Sequence, residues 1–273
     1  MSSLENDVRQ FCVRHGLKLN KDLGQHFLVN EMVLAKIIEC GNIKEDDHVI
    51  EIGAGIGVLT RELLKKTPHV TSIEIDEHLI PLLKQFIRIN ESTSKRVNEF
   101  TIIQANALQV PLPNTRYKII ANIPYHITSP LLRHAFLEAV ERPTSLTLLI
   151  QREVAEKICD TKDAGLLTII VGLFGTAHIA INVPPSAFLP PPKVDSAVLQ
   201  IDCYEKSLAE KDVIEAVITL AKLGFSQKRK MLRNTIGSLP NGMERLAAVN
   251  IEATRRPQTL SLTEWIALAK TGN

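Results

Sequence analysis

Asn122-Ile123-Pro124-Tyr125 is a run of residue types suited to handling an amino group attached to an aromatic ring. Such a nitrogen is a poor nucleophile, because its lone pair is delocalised into the ring. Two acceptors, the Asn122 side-chain oxygen and a main-chain carbonyl next to Pro124, can hold its hydrogens and favour a pyramidal nitrogen aimed at an activated carbon. Proline fixes the loop, and Tyr125 offers a flat face on which a base turned out of its stack can lie. That chemistry requires neither a metal nor a covalent nucleophile. The plainer alternative is a β-turn with a capping Asn.

A second group of residues lies upstream, in Glu51-Ile52-Gly53-Ala54-Gly55-Ile56-Gly57. Glycines there let the backbone turn sharply and approach a ligand closely at a helix N-terminus. The dinucleotide fingerprint would place a third glycine at position 58, where this chain has Val58, so a nicotinamide cofactor is not expected. Glu74 follows the glycine loop at the spacing of about 20 residues at which an acid reaches ribose hydroxyls, and a carboxylate can accept both of them. Asp76, two residues on, competes for that role. Phe188 sits on the stiff stretch Val183-Pro184-Pro185-Ser186-Ala187-Phe188, where it is either a second wall around a base or a core-packing ring.

These side chains need a scaffold that delivers them to one edge. Between Val49 and Gln151 short β-branched runs alternate with helical periodicity, which predicts β-α-β units around a mostly parallel sheet. Strands are expected at 48–52, 70–75, 100–104, 117–121 and 146–150, with a preceding helix over 31–40 capped by Asn30 and stopped by Gly41. Such a doubly wound sheet carries ligands at the carboxyl ends of its strands, where the glycine loop, Glu74 and Asn122 all fall. Two more strands, 178–183 and 196–202, flank the proline-rich segment 184–192 as a hairpin-like edge. After Tyr204 the β signal disappears, and amphipathic segments 212–223, 244–249 and 262–270 predict a small all-α domain. The expected division is therefore 1–203 and 204–273.

Composition sets the class. With 273 residues, 45% of them apolar, the chain can bury a large α/β core and a smaller appendage. Cys12, Cys40, Cys159 and Cys203 are dispersed, which predicts free thiols and a cytoplasmic protein rather than a zinc site or a disulfide scaffold. The polar, acidic N-terminus lacks the pattern of a secretory signal. The apolar stretch Ala164 to Ala177 falls short of the roughly 20 residues that span a bilayer and is expected as a buried helix. Residues 204–273 hold 11 basic and 7 acidic side chains against 21 and 23 in the remainder, so positive charge gathers at the C-terminal end and points to a polyanionic partner.

Together, Leu23-Gly-Gln-His-Phe-Leu28, Glu51 to Gly57, Asn122 to Tyr125, Val183 to Phe188, Pro190-Pro-Pro-Lys-Val-Asp-Ser-Ala197 and Gly224-Phe-Ser-Gln-Lys-Arg-Lys-Met-Leu-Arg-Asn234 resemble the KsgA (RsmA) ribosomal RNA adenine dimethyltransferases over nearly the whole chain. The glycine loop is similar to the first motif of class I, Rossmann-like methyltransferases, whose ligand carries no phosphate. The resemblance implies S-adenosylmethionine as methyl donor, no metal, and dimethylation of two adjacent adenosines in a hairpin loop near the 3′ end of small-subunit rRNA. It also implies a monomer acting on the immature small subunit, late in assembly. Cofactor contacts are implied at His26, Leu28, Gly53, Gly55, Glu74, Asn106 and Asn122, and catalytic roles at Asn122, Pro124, Tyr125 and Phe188.

Two of these positions depart from the family pattern. His26 stands where Asn is common and Asn106 where Asp is common, and both keep hydrogen-bonding capacity. A histidine taken alone is more often structural than a ligand. Lys222, Lys228, Arg229, Lys230 and Arg233 form a run with no acid between its ends, fit for rRNA phosphates, with a solvated helix face as the alternative. Arg9, Arg14, Lys18 and Lys21 are expected to extend that surface. The macrolide-resistance group acting on large-subunit rRNA often shares Asn-Ile-Pro-Tyr, but Pro-Pro-Ser-Ala-Phe and Gln227-Lys-Arg-Lys favour the small-subunit group. A non-catalytic RNA-binding assembly factor on the same fold is a further alternative, against which intact Glu74, Asn122 and Tyr125 speak.

Overall fold

The computed structural model describes residues 3–17, 26–88, 100–227 and 229–272. Leu23, Gly24 and Gln25 of the first motif, together with Lys18, Lys21 and Lys228, lie outside the described residues.

Nine strands are described, β1 (Phe27–Leu28), β2 (Val49–Ile52), β3 (Val70–Glu74), β4 (Thr101–Gln104), β5 (Lys118–Asn122), β6 (Ser145–Gln151), β7 (Gly175–Val183), β8 (Phe188–Leu189) and β9 (Ser196–Cys203). Seven of them make one sheet in the order β4-β3-β2-β5-β6-β9-β7. The pairs from β4 across to β6 are parallel, and β9 runs antiparallel to β6 from Ser145↔Asp202 to Gln151↔Ser196. All four residues of β2 are buried, as a parallel strand covered on both faces requires. From β2 the chain steps outward to β3 and β4, then returns to place β5 on the other side of β2. The crevice of such a sheet lies at that reversal, outside the carboxyl ends of β2 and β5.

The strand over 117–121 is displaced by one residue to Lys118–Asn122, so Asn122 ends the strand rather than following it. The hairpin-like edge is present as neighbours β9 and β7, with β7 outermost. The proline-rich segment between them supplies β8, which leaves the main sheet and pairs antiparallel with β1 through Phe27↔Leu189 and Leu28↔Phe188.

The helices are α1 (Leu4–Arg14), α2 (Glu31–Gly41), α3 (Val58–Leu64), α4 (Ile80–Arg88), α5 (Thr128–Arg133), α6 (Arg152–Cys159), α7 (Leu166–Phe174), α8 (Lys211–Phe225), α9 (Gly242–Ala248) and α10 (Leu262–Lys270). α1 was not expected. Ser3 caps it, and Leu4, Val8 and Phe11 form a buried stripe at helical spacing. α2 begins as expected, with the Asn30 side chain accepting from the Val33 N–H at 3.0 Å. Its end differs, because Asn42 takes the left-handed conformation (φ 41°) and Gly41 stays helical. Gly41 serves packing instead: a Cβ there would stand 2.5 Å from Ile120 Cδ1 on β5.

The chain forms two compact units, residues 1–155 with 178–202, and residues 156–177 with 203–273. The second crossing lies where the β signal ends, but 156–177 also belongs to the helical unit. It carries α7, the helix expected from the apolar stretch, which packs against α8 and α10 of that unit. Trp265 of α10 is fully buried there and lies 5.9 Å from the Phe225 ring. Among the described residues no helix is long and apolar enough to cross a membrane.

Candidate active site

The glycine loop leaves the carboxyl end of β2 with Gly53, Gly55 and Gly57 all at positive φ, at 73°, 57° and 92°. Gly55 is fixed as glycine twice over, by its backbone and because a Cβ would lie 3.1 Å from Phe27 Cε1. Its N–H donates to Glu74 Oε2 at 2.7 Å, while Glu74 Oε1 accepts the Asp76 N–H at 2.9 Å. The carboxylate at the end of β3 is thus oriented by two main-chain donors, with a lone pair left on each oxygen for a ligand hydroxyl. Burial raises its pKa above the ordinary carboxylate value, against the pull of those N–H groups. Asp76 is not on the cavity; its Oδ1 accepts the His78 N–H at 3.0 Å in a turn.

Glu51 was quoted above as part of a motif and given no role. It is 1% exposed in the middle of β2 and lines the same cavity. Thr60 and Ser72 each donate a hydroxyl to its Oε2 at 2.6 Å, while Oε1 has no partner among the described residues. Burial, reinforced by the neighbouring Glu74 charge, pushes its pKa up to about 7. The signal that marks it in the sequence is an acid inside an otherwise apolar four-residue strand.

One cavity at the carboxyl rim gathers His26, Leu28, Gly53, Gly55, Glu74, Asn106, Asn122, Pro124 and Tyr125. Phe188 does not line it. Its pairing with Leu28 turns it into the core, 3% exposed, so the wall expected of Phe188 is withdrawn. Asn106 Oδ1 accepts the Leu108 N–H at 3.1 Å, which holds that side chain in a turn and leaves one lone pair.

At the target end, Asn122 Nδ2 donates to the His26 main-chain oxygen at 3.1 Å, which leaves Oδ1 as an acceptor. The Pro124 carbonyl accepts the Ile127 N–H at 3.1 Å within a turn over Tyr125–Ile127. Ile123, whose carbonyl precedes the proline ring, lines the cavity beside it. Tyr125 is pinned by a 2.7 Å hydrogen bond between its hydroxyl and Ser196 Oγ, a partner not foreseen in the sequence, and burial raises its pKa. The His26 ring lies parallel to Tyr125, with Nδ1 2.7 Å from the Pro190 carbonyl.

In the helical unit Lys222, Arg229, Lys230 and Arg233 are exposed. In the other unit Arg14 and Arg9 are exposed, with Arg9 paired to Glu5 one helical turn away at 2.8 Å. Among the described residues no group of three or more His, Cys, Asp or Glu is placed to hold a metal.

Known proteins place this architecture. The family described as Ribosomal RNA adenine dimethylase matches residues 16–270. A Ribosomal RNA small subunit methyltransferase A from Dehalococcoides mccartyi is 37% identical over 99% of this chain and 95% of its own length. Its namesake from Clostridium acetobutylicum is 36% identical over 96% of each. A dimethyladenosine transferase from Plasmodium falciparum superposes with a TM-score of 0.74 at 27% identity, over 89% of this chain and 96% of its own. The 23S rRNA methyltransferase ErmE gives 0.68 at 25% identity, over 89% and 98%. Matched over nearly its whole length by that family and by full-length relatives at 36–37% identity, the chain belongs to the ribosomal RNA adenine dimethylase family.

Proposed function

We propose that this protein dimethylates the exocyclic amino groups of two adjacent adenosines in a hairpin loop near the 3′ end of small-subunit rRNA, using S-adenosylmethionine. The observation that carries the reading is Asn122: its amide nitrogen is committed to the His26 carbonyl, so its oxygen faces the task of holding an amino hydrogen. The residues present fit the donor. Glu74, aligned by two main-chain N–H groups, can accept both ribose hydroxyls, the glycine loop admits a ligand against bare backbone, and Asn106 retains an acceptor for an adenine amino group. When bound, S-adenosylmethionine supplies a methyl carbon made electrophilic by its sulfonium.

This chain's residues do the rest. Asn122 Oδ1 and the Ile123 carbonyl hold the two amino hydrogens of the target, which draws its lone pair out of the ring plane. Pro124 fixes the angle between those acceptors, and Tyr125 presents its ring to the base. The exposed Lys222, Arg229, Lys230 and Arg233 give the helical unit a phosphate-binding face. The reading places a monomer in the cytoplasm, on the immature small subunit, and the four free cysteines agree with a reducing compartment. The small-subunit target, rather than the 23S target of ErmE, is favoured by the full-length relatives at 36–37% identity.

The test is methylation of immature small subunits by the purified protein, read by primer extension. Stops at two neighbouring adenosines are expected, with none in large-subunit RNA. Methylation of large-subunit RNA instead, or of neither, contradicts the reading.

A further inference from the structure

We infer that Ser196 is a positioning residue for the reaction, holding the Tyr125 ring at the target through a side-chain hydrogen bond; the inference rests on the methyltransferase reading and adds to that site a residue from outside its loops. The Tyr125 hydroxyl and Ser196 Oγ are 2.7 Å apart, across 71 residues of sequence. Ser196 is fully buried and does not line the cavity, so whatever it contributes to the site passes through the tyrosine.

The main chain alone leaves that ring free to swing. Tyr125 opens the turn Tyr125–Ile127, three residues beyond the end of β5, and its carbonyl accepts the Thr128 hydroxyl at 3.0 Å. Those contacts fix where the side chain starts. The ring itself hangs from two torsions, the second of them broad for an aromatic side chain. Tyr125 is half-buried on the cavity, so packing does not enclose it. A bond at the hydroxyl, the far end of that lever, removes both freedoms at once, and it satisfies a phenol that burial would otherwise leave unpaired.

Ser196 is a firm anchor. It begins β9, opposite Gln151, at the end of an antiparallel ladder with β6 that runs without a break from Ser145↔Asp202. One residue further on, the Arg152 N–H donates to the Asp195 carbonyl at 3.0 Å, and the Arg152 guanidinium pairs with the Asp195 carboxylate at 2.9 Å. β6 lies between β9 and β5, whose Asn122 pairs with Leu149. The Asn122 end of the site and its Tyr125 end are thus referred to one sheet, the first by the strand that carries it and the second by a hydroxyl reaching across to β9. An alanine at 196 keeps the strand and removes only the bond.

The experiment compares wild type with Ser196→Ala, Tyr125→Phe and the double variant. It measures the single-turnover methylation rate of immature small subunits at saturating donor and RNA, and the affinity for S-adenosylmethionine by calorimetry. With 3-fluorotyrosine in place of the three tyrosines, it also follows the fluorine resonance that Tyr125→Phe removes. Loss of the tether predicts a rate about 10-fold lower in Ser196→Ala, with donor affinity unchanged. Tyr125→Phe, which keeps the ring and cuts the same bond, should lose about as much, and the double variant no more than either. The Tyr125 resonance should move in Ser196→Ala while those of Tyr117 and Tyr204 stay. A role confined to stability would leave the saturated rate unchanged. Ser196→Ala at the wild-type rate, a loss repeated in full on the Tyr125→Phe background, an unmoved Tyr125 resonance, or a fall in donor affinity that accounts for the rate each overturns the inference. Should Ser196→Ala not fold, Tyr125→Phe carries the comparison, and a wild-type rate in that variant overturns the inference equally. If wild type itself fails to methylate small subunits, it is the proposed function that falls, and the fluorine resonance alone decides whether Ser196 holds the ring.

Discussion

At the scale of single residues, the two buried acids of the site separate what was legible from what was not. Glu74 was legible, because its distance from the glycine loop is set by one β-α-β unit and survives any detail of packing. Replacing it with Gln puts an amide N–H against the main-chain donor of either Gly55 or Asp76. An unmade buried hydrogen bond of that kind costs about 1–3 kcal/mol, so Glu74→Gln should weaken donor binding about 10-fold or more in a calorimetric titration. Glu51 had no comparable signal, since its role follows from burial by strands that are distant in sequence. Its folded pKa of about 7 lies above the unfolded carboxylate value, so between the two the folded state holds a proton that the unfolded state has lost. The stability this group contributes is full below about pH 4.5 and is lost as pH rises through about 7. Glu51→Gln, which does not titrate and can still accept from Thr60 and Ser72, should match wild type at pH 5 and exceed it at pH 8 by roughly 1–3 kcal/mol. Urea midpoints at the two pH values decide this, and an equal difference at both would refute it. Phe188 illustrates the converse. A stiff loop says that an aromatic is held in place, but which way its ring turns was decided by a two-residue ladder with β1 that no periodicity reveals.

At the scale of elements, the strands were readable because buried parallel strands are short apolar runs, and their carboxyl ends fix where the loops emerge. The ends themselves were less so: Asn122 proved to be the last residue of β5. α1 escaped notice because its buried face is only Leu4, Val8 and Phe11 within a polar segment. Gly41 read as a helix stop, yet the left-handed residue is Asn42, and the glycine instead lets α2 approach Ile120. Gly41→Ala should therefore destabilise by roughly 1–3 kcal/mol through overpacking while leaving donor affinity unaltered. Gly55→Ala should do both kinds of damage, because a left-handed non-glycine residue costs roughly 1–2 kcal/mol and its Cβ presses on Phe27 beside the site. Thermal midpoints and donor titrations of the two variants separate a packing glycine from a ligand-loop glycine.

At the scale of the whole molecule, one of the crossings between the two compact units, at 202/203, falls where the β signal ends. The entry of 156–177 into the helical unit was not legible, because an apolar helix such as α7 reads the same whichever core buries it. The basic character of the C-terminal part was plain from composition, and the exposed Arg229 and Lys230 give it a testable form. Arg229→Ala with Lys230→Ala should weaken small-subunit binding and lower the slope of log affinity against log salt by about 1–2, with donor binding unchanged. The most direct test of the central claim is the yield of N6,N6-dimethyladenosine in small-subunit rRNA, measured by mass spectrometry for wild type and Asn122→Ala at saturating donor. Wild type should form it at two neighbouring positions, and Asn122→Ala should lose about 100-fold or more in rate while still binding donor. Dimethyladenosine formed by Asn122→Ala at the wild-type rate would contradict the account.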